Sequence, residues 1–216
     1  MEMELELLAG YLTGCPDISP EARELFKSFL KGKLDRKVAM EEIVEIVRKS
    51  PVLFPALSVI GKNLKREIFS RQVIETYFLG IPALPNSIAR EILRELKLPK
   101  EVIEALPPWI KPIHNHLVFL LNWPHCPIEI LNTCLVRPGK VLEIFREVAE
   151  VRTIKIQQDN QRFTLVPSLE PLKCFFQAKK GDLVAIHWGI IVQKLKKVEM
   201  EVLKHDLSVL LAHFSP

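Results

Sequence analysis

Two segments in the C-terminal part of the chain each place a possible metal ligand beside sequence with the alternation of a β-strand. The first is Cys134-Leu-Val-Arg-Pro-Gly-Lys-Val-Leu-Glu-Ile144, and the second is Gly181-Asp-Leu-Val-Ala-Ile-His187-Trp-Gly-Ile-Ile-Val-Gln-Lys-Leu195. Thiolate is a soft ligand that suits low-spin iron, and imidazole is a reasonable second donor. Cys134 and His187 are therefore candidates for a shared metal site, although a lone Cys beside apolar residues is more often a small core residue.

These segments resemble the small HypC/HupF chaperones that assemble the iron centre of nickel-iron hydrogenases. Those chaperones open with Cys, apolar residues and Pro-Gly-Lys-Val, and later carry a Gly-Asp run with a His, then Gln-Lys-Leu and a closing helix. The similarity covers residues from Thr133 to Phe214. It implies that Cys134 and His187 bind iron transiently, as the Fe(CN)2CO unit, while that unit is built and delivered.

The chain departs from the short chaperones at three positions. Their Cys becomes the N-terminal residue, whereas Cys134 is internal, so that no free α-amine can assist it. Arg137 stands where the family usually has an apolar residue. Trp188 replaces a smaller residue after His187, and we expect it to shield the site from water.

The whole chain is also similar to an uncharacterised family whose genes lie near hydrogenase genes and whose members have an added helical N-terminal domain. Two segments carry this second resemblance, Arg71-Gln-Val-Ile-Glu-Thr-Tyr-Phe-Leu-Gly80 and Pro112-Ile-His114. The resemblance implies no activity for the helical part.

A second group of possible ligands precedes Cys134 in the sequence. His114 and His116 are two residues apart, which on a helix directs the two rings to different faces. We expect a buried His114 at the joint between the two halves of the chain, where it could bring a third ligand near Cys134. Cys126 is a further candidate ligand, but no C-x2-C or H-x3-H spacing supports a structural zinc site.

Residues 1–131 have the apolar spacing of amphipathic helices, without a repeat of fixed period. Ser19 before Pro20 is typical of a helix start, because the hydroxyl can accept an N–H group of the first turn. Pro51 and Pro55 indicate a junction between helices. The clearest predicted helices are Glu2–Thr13, one beginning at Pro20, Val38–Val47, Ile68–Leu79, Ser87–Leu98 and Ile113–Leu121.

After Thr133 the period of the apolar residues changes from 3.6 to 2, which predicts strands. A turn is expected at Pro138-Gly139. The predicted strands are Val141–Arg146, Val148–Ile156, Arg162–Val166 and Asp182–Trp188, followed by a helix over Val198–Phe214. The prediction is an α+β fold with a helical domain over 1–131 and a small OB-like β-barrel with a C-terminal helix over 132–216.

Composition excludes several classes of protein. The net charge of +4 is too small for the dense basic surface of a nucleic-acid-binding protein. No apolar run is long enough to span a membrane, and the N-terminus is acidic where a secretory signal is basic. We therefore expect a cytosolic protein, in which the widely spaced Cys residues are thiols or ligands rather than disulfides.

The resemblance to the HypC/HupF chaperones implies a chaperone of metallocentre assembly rather than an enzyme. Its expected partners are a HypD-like scaffold and the hydrogenase large subunit. Two alternatives stay open. The helical domain, with His114 and His116, could form the pocket of an enzyme that supplies the carbon monoxide or cyanide, or the protein could be a metal-free adaptor in the maturation complex.

Overall fold

The computed structural model describes residues 2–16, 18–122, 127–159 and 162–214. In that part of the chain, helices precede all strands. They are α1 (Glu2–Leu12), α2 (Pro20–Leu30), α3 (Arg36–Arg48), α4 (Leu53–Leu64), α5 (Arg71–Leu79), α6 (Asn86–Glu95), α7 (Lys100–Glu104), α8 (His114–Asn122) and α9 (Ile128–Cys134). None of the described helices combines the length and the hydropathy that crossing a membrane requires.

The helix starts follow local chemistry. The Ser19 hydroxyl accepts a hydrogen bond from the Ala22 N–H at 3.2 Å, as the Ser-Pro signal predicted. The Asp35 carboxylate caps α3 in the same way, accepting from the Val38 N–H at 3.1 Å. Such caps satisfy N–H groups that have no partner within the helix.

Helix α4 was not predicted, because Pro51 and Pro55 were interpreted as a junction. That interpretation is wrong for Pro55, which lies in the first turn of α4. The first N–H groups of a helix have no carbonyl to bond to, so a proline there removes no hydrogen bond.

Five strands follow the helices and precede the last helix. They are β1 (Arg137–Phe145), β2 (Val148–Asp159), β3 (Arg162–Cys174), β4 (Leu183–His187) and β5 (Ile190–Lys194), and the last helix is α10 (Lys197–Phe214). The sheet is mixed, since β3 and β5 are parallel and the other neighbours are antiparallel. Pairing in the order β1-β2-β3-β5-β4, with β4 back against β1, closes it. The predicted α+β class, with helices first and a helix last, is confirmed.

The predicted turn at Pro138-Gly139 is wrong, because both residues lie within β1. Pro138 pairs with Ala185 of β4. A side chain on Gly139 would come within 2.6 Å of Val151 and 2.7 Å of Ile186. The glycine is therefore required by the close approach of side chains inside the sheet, not by a turn.

Arg137, the polar departure noted in the sequence, is buried in a two-pronged ion pair. Its Nη1 and Nη2 donate to the two carboxylate oxygens of Glu170 at 2.7 and 3.0 Å, and Nη1 also donates to the Ile154 carbonyl. Burial raises the pKa of Glu170, but the hydrogen bonds and the charge of Arg137 outweigh it and leave the pKa lowered. Arg137 thus joins β1, β2 and β3.

The largest apolar core crosses the predicted boundary between the helices and the sheet. It contains residues of the helices from α1 to α6 together with Val136, Ala185 and Val192 of the sheet region and Leu203 of α10. Smaller cores lie inside the sheet and where α8, α9 and α10 pack against β2 and β3. The division into domains at residue 131 stays a prediction.

Candidate metal centre

Cys134 is the last residue of α9, directly before the chain enters the sheet. The Leu135 N–H donates to the Leu131 carbonyl at 2.9 Å, which closes the last turn of the helix. The thiol is half-buried. Cys134 therefore stands where the helical part and the sheet meet.

His187 is the last residue of β4 and is only 1% exposed. Its Nδ1 lies 2.7 Å from the main-chain carbonyl of Tyr11, in a contact that spans 176 residues of sequence. A carbonyl only accepts, so Nδ1 carries the proton and the Nε2 of the neutral ring carries a lone pair. A backbone carbonyl that fixes the far nitrogen of an imidazole is the usual support of a metal-binding histidine.

His114 begins α8 and brings a third donor to the same point. Its Nε2 lies 3.1 Å from His187 Nε2, 4.0 Å from Cys134 Sγ and 3.0 Å from the Cys134 carbonyl oxygen. The Tyr77 hydroxyl lies 3.4 Å from the other ring nitrogen, Nδ1. In the metal-free ring Nε2–H donates to the Cys134 carbonyl. Ligation through Nε2 would move that proton to Nδ1, where the Tyr77 oxygen can accept it.

The donor atoms of Cys134, His114 and His187 all lie within 4.8 Å of one another. A transition metal bonds imidazole nitrogen at about 2.1 Å and thiolate sulfur at about 2.3 Å, so two such donors of one ion lie at most about 4.4 Å apart. In tetrahedral or octahedral geometry such donors lie roughly 3 to 3.6 Å apart, so the most distant pair needs to close by about 1 to 2 Å to share an ion. They fit a metal of the iron or zinc type, held by one soft and two borderline donors.

Burial keeps both imidazoles neutral and ready to bind a metal. It lowers the pKa of His114 to about 4, although the hydrogen bond to the Cys134 carbonyl acts in the opposite direction. It also lowers the pKa of His187 well below the usual range, with a further contribution from the neighbouring His114. Near neutral pH both rings are therefore neutral, and His114 needs only the shift of its proton to Nδ1 to bind through Nε2.

His116, the second histidine of α8, is not part of this group. His116 lies on a different side of α8, where its Nδ1 accepts a hydrogen bond from the Lys111 N–H at 3.0 Å and its ring packs against Trp109. Cys126 falls outside the residues that the structure describes.

The three donors lie at one side of a cleft of about 290 Å³ between the helical part and the sheet. None of the described residues that line this cleft is Asp, Glu, Lys or Arg. The lining residues are Leu12, Cys15, Pro16, Ile18, Ser50, Val52, Leu53, Tyr77, Phe78, His114, Val118, Leu121, Ile130, Cys134, His187 and Trp188.

Trp188 lines the cleft from a strained turn. It follows His187 in the two-residue connection between β4 and β5, and both Trp188 and Gly189 have positive φ, 50° and 72°. Positive φ at both positions is the signature of a type I′ turn, which favours Asn-Gly. The bulky residue costs roughly 1–2 kcal/mol there.

Two contacts fix this turn against the rest of the site. The Trp188 N–H donates to the Thr133 carbonyl at 2.7 Å, one residue before Cys134. A side chain at Gly14 would come within 2.2 Å of Trp188 Cβ and 3.0 Å of its carbonyl oxygen. The absence of a side chain at Gly14 therefore allows the loop after α1 to close over the turn.

Sequence reasoning missed the residues that support the ligands. Tyr11, Gly14 and Tyr77 carry no local pattern that would single them out, because their roles arise from contacts between distant elements. Cys15 also lines the cleft, and only its being a cysteine could have drawn attention to it.

The chain belongs to a family described as "Family of unknown function (DUF6390)", whose model matches residues 29–215. That range contains all three donors but not Tyr11 or Gly14. No curated protein and no solved structure shows significant similarity to the chain.

Proposed function

We propose that this protein is an accessory chaperone of nickel-iron hydrogenase maturation that carries or hands over the Fe(CN)2CO unit. One observation carries the proposal. Cys134 and His187, from the two segments that resemble the HypC/HupF chaperones, meet in a single cleft together with His114, with donor atoms within 4.8 Å. In this interpretation the closed five-stranded sheet with its C-terminal helix is the OB-like barrel of those chaperones.

The number of donors suits the cargo. Low-spin iron favours six ligands, and two cyanides with one carbon monoxide supply three of them. The thiolate and the two imidazoles supply three more, all from one side of the cleft. The cleft volume of about 290 Å³ leaves room for small diatomic ligands in front of the donors.

The charge of the cleft suits the cargo as well. The two cyanides cancel the charge of Fe(II), so the carried unit is neutral before the thiolate binds it. The unit therefore adds no net charge to an apolar site, where an uncompensated charge is unfavourable. The described lining has no Asp, Glu, Lys or Arg, so the Cys134 thiolate would supply the negative charge at the iron. Cys15 and Tyr77 are the other weakly acidic side chains of the lining.

The third donor gives the helical part a role. His114 belongs to α8, and the Tyr11 carbonyl that orients His187 belongs to α1. The helices thus complete and orient a site whose first two ligands lie in the barrel segment. The partners that we propose, a HypD-like scaffold and the hydrogenase large subunit, would approach the mouth of the cleft.

The same lining favours a carrier over an enzyme that supplies carbon monoxide or cyanide. An enzyme that produces carbon monoxide or cyanide would need a side chain free for proton transfer, which is most often His but can also be a carboxylate, Tyr or Cys. Among the described residues of the cleft there is no carboxylate. Both imidazoles are engaged with each other, with Cys134 or with Tyr11.

The proposal is tested by Cys134→Ala in a host whose hydrogenase maturation depends on this protein. Hydrogenase activity should be abolished, because a methyl group cannot ligate iron. Cys174→Ala is the matched control, since Cys174 is also half-buried but bonds the Phe176 carbonyl outside the cleft. Normal maturation with Cys134→Ala, at equal protein levels, would refute the carrier function.

A further inference from the structure

One side of β2 faces away from the interior of the closed sheet. Ala149 and Val151 of β2 belong to the core inside the sheet. Successive side chains of a strand point to opposite sides. The alternate residues Val148, Glu150 and Arg152 therefore lie on the outer side, and all three are exposed.

The register of the sheet extends this outer side onto β1 and β3. Residues that pair directly across an antiparallel ladder have their side chains next to each other on the same side. The pairs form three rows across the strands, and we call these residues the outer patch. The rows are Phe145-Val148-Lys173, Glu143-Glu150-Pro171 and Lys140-Arg152-Leu169. Every residue of the outer patch is exposed.

The outer patch contains large apolar side chains where a solvated sheet face normally has polar ones. Phe145 is 66% exposed, Val148 38% and Leu169 59%. Further along the same side of β2, Ile154 and Ile156 pack against the core formed with α8, α9 and α10. One side of β2 is thus covered by helices at one end and open at the other. Apolar side chains grouped on an exposed face are typical of protein interfaces.

The charges of the outer patch are complementary to the patch itself. Glu143 and Glu150 form one row, and Lys140 and Arg152 lie in the next. No ion pair within the described part of the chain uses any of these four side chains. A row of unpaired carboxylates beside a row of unpaired cations fits a surface with the same two rows in reverse order.

A second copy of the chain is such a surface. A two-fold axis that runs across the strands between the two rows lays each strand over its own copy, in the opposite direction. Glu150 then faces Arg152 of the second copy, and Glu143 faces Lys140 in the same way. Pro171 faces Leu169, so the apolar residues of β3 also meet. Packed sheets commonly keep their strand directions within about 30° of each other, which this arrangement respects.

We propose that the outer patch is the interface of a homodimer, in which two copies pack their sheets face to face about this axis. The apolar residues supply the burial that holds the copies together. The charged rows fix the register, since a shift along the strands places like charges opposite each other. None of the residues of the outer patch lines the metal cleft, so the inference goes beyond the proposed function and does not depend on it.

Sedimentation velocity of the full chain tests the dimer. The wild type should sediment as a dimer at a protein concentration of about 100 μM. Leu169→Lys should weaken dimerisation by at least about tenfold, because it places a charge in the apolar part of the interface. Val198→Lys is the matched control, since Val198 of α10 is 65% exposed but lies outside the outer patch. Circular dichroism checks that each variant is folded.

Reversing the charges tests the position of the axis. Glu150→Arg would face Arg152 of the second copy at two symmetry-related positions, so it should weaken the dimer by about tenfold. Arg152→Glu should have the same effect for the same reason. The double variant Glu150→Arg/Arg152→Glu restores both pairs, and its dimer affinity should return to within about threefold of wild type. These exposed polar exchanges keep the test available if Leu169→Lys fails to fold.

Four outcomes would overturn the inference. They are a monomeric wild type, a dimer that a folded Leu169→Lys leaves unchanged, single reversals without effect, and single reversals whose loss the double variant does not recover. A wild type that stays monomeric but binds another protein through the outer patch would give the surface a different occupant and also overturn the homodimer. None of these results bears on the maturation assay with Cys134→Ala, so the two proposals fail separately.

Discussion

His114 and His116 occupy the start of one helix, and burial lowers the pKa of each to about 4. Their surroundings differ. His116 is held by the Lys111 N–H and by Trp109, whereas His114 faces Cys134 and His187. The comparison shows that burial makes an imidazole neutral but does not make it a ligand. A site arises only where a second and third donor from other elements converge on the same nitrogen.

Removing the Cys134 thiol is expected to have the largest effect on metal binding. Cys134→Ala should weaken cobalt(II) binding by at least about 100-fold, because it removes the soft, anionic donor of the site. The absorption of the thiolate-cobalt bond should disappear in the same titration. Cys174→Ala should leave both readouts at wild-type values, and a matching loss in that control would point to general unfolding.

Adding a side chain at Gly14 should destabilise the turn at Trp188 that packs beside the metal ligands. Gly14→Ala places a methyl group within 2.2 Å of Trp188 Cβ, next to backbone that the Thr133 hydrogen bond holds. Overpacking of this kind costs about 2 kcal/mol in the free energy of unfolding, measurable by urea denaturation.

Gly10→Ala is the matched control for Gly14→Ala. Its added methyl group would meet the Val192 side chain at 3.0 Å and the Val192 carbonyl oxygen at 3.7 Å, and alanine favours the helix. The free energy of unfolding should change by less than about 1 kcal/mol. Equal effects of the two substitutions would contradict the account of Gly14.

Separate substitutions of the two histidines test whether only His114 binds metal. His114→Gln should weaken cobalt(II) binding by about tenfold, because an amide is a poorer donor than imidazole for this metal. His116→Asn, which keeps an acceptor for the Lys111 N–H, should bind cobalt as wild type does. Isothermal titration measures both, and a loss of affinity with His116→Asn would place His116 in the site after all.

Acid should lower the free energy of unfolding, because the buried neutral histidines gain protons more readily in the unfolded chain. The pKa of His116 is about 4 in the fold and about 6.5 when unfolded, so the unfolded chain binds more protons between these values. Its contribution to stability is complete above pH 6.5 and is lost as the pH falls toward 4. The complete loss for a shift of this size is roughly 3 kcal/mol per buried imidazole.

The variant His116→Asn tests this dependence on pH. Urea denaturation at pH 7 and pH 5 should show a smaller difference in unfolding free energy for the variant than for the wild type. An identical difference would mean that His116 is protonated in the fold or already neutral in the unfolded chain at pH 5.

Part of the site was readable from the sequence because it lies in local motifs. Cys134 and His187 each stand in a segment with a recognisable pattern, and the apolar run around His114 predicted a buried histidine near the joint. Their convergence was expected from the resemblance and from the place of His114 at the joint. The contact geometry could not be read from the sequence, since it depends on how α8 and β4 pack over a separation of 73 residues. The Tyr11 carbonyl could not be predicted at all, because any residue type offers a carbonyl.

The fold likewise has features that neighbouring residues in the sequence determine and features that contacts between distant elements determine. Local sequence pattern predicted the α+β class and, through Ser19 before Pro20, the start of α2, both of which depend on neighbouring residues. It failed for Pro55 and Pro138-Gly139, where the same residue types are compatible with a break, a first helical turn or a strand. Only the neighbours in space, such as Val151 and Ile186 around Gly139, decide between these.

The central claim is that Cys134, with His114 and His187, holds an iron unit bearing cyanide and carbon monoxide. Infrared spectroscopy of the protein purified anaerobically with hydrogenase maturation proteins tests it most directly. We predict bands of iron-bound cyanide and carbonyl in the wild type and in Cys174→Ala, and none in Cys134→Ala. Stable docking of the wild type without such bands would contradict the claim and favour a metal-free adaptor, as would bands that persist in Cys134→Ala.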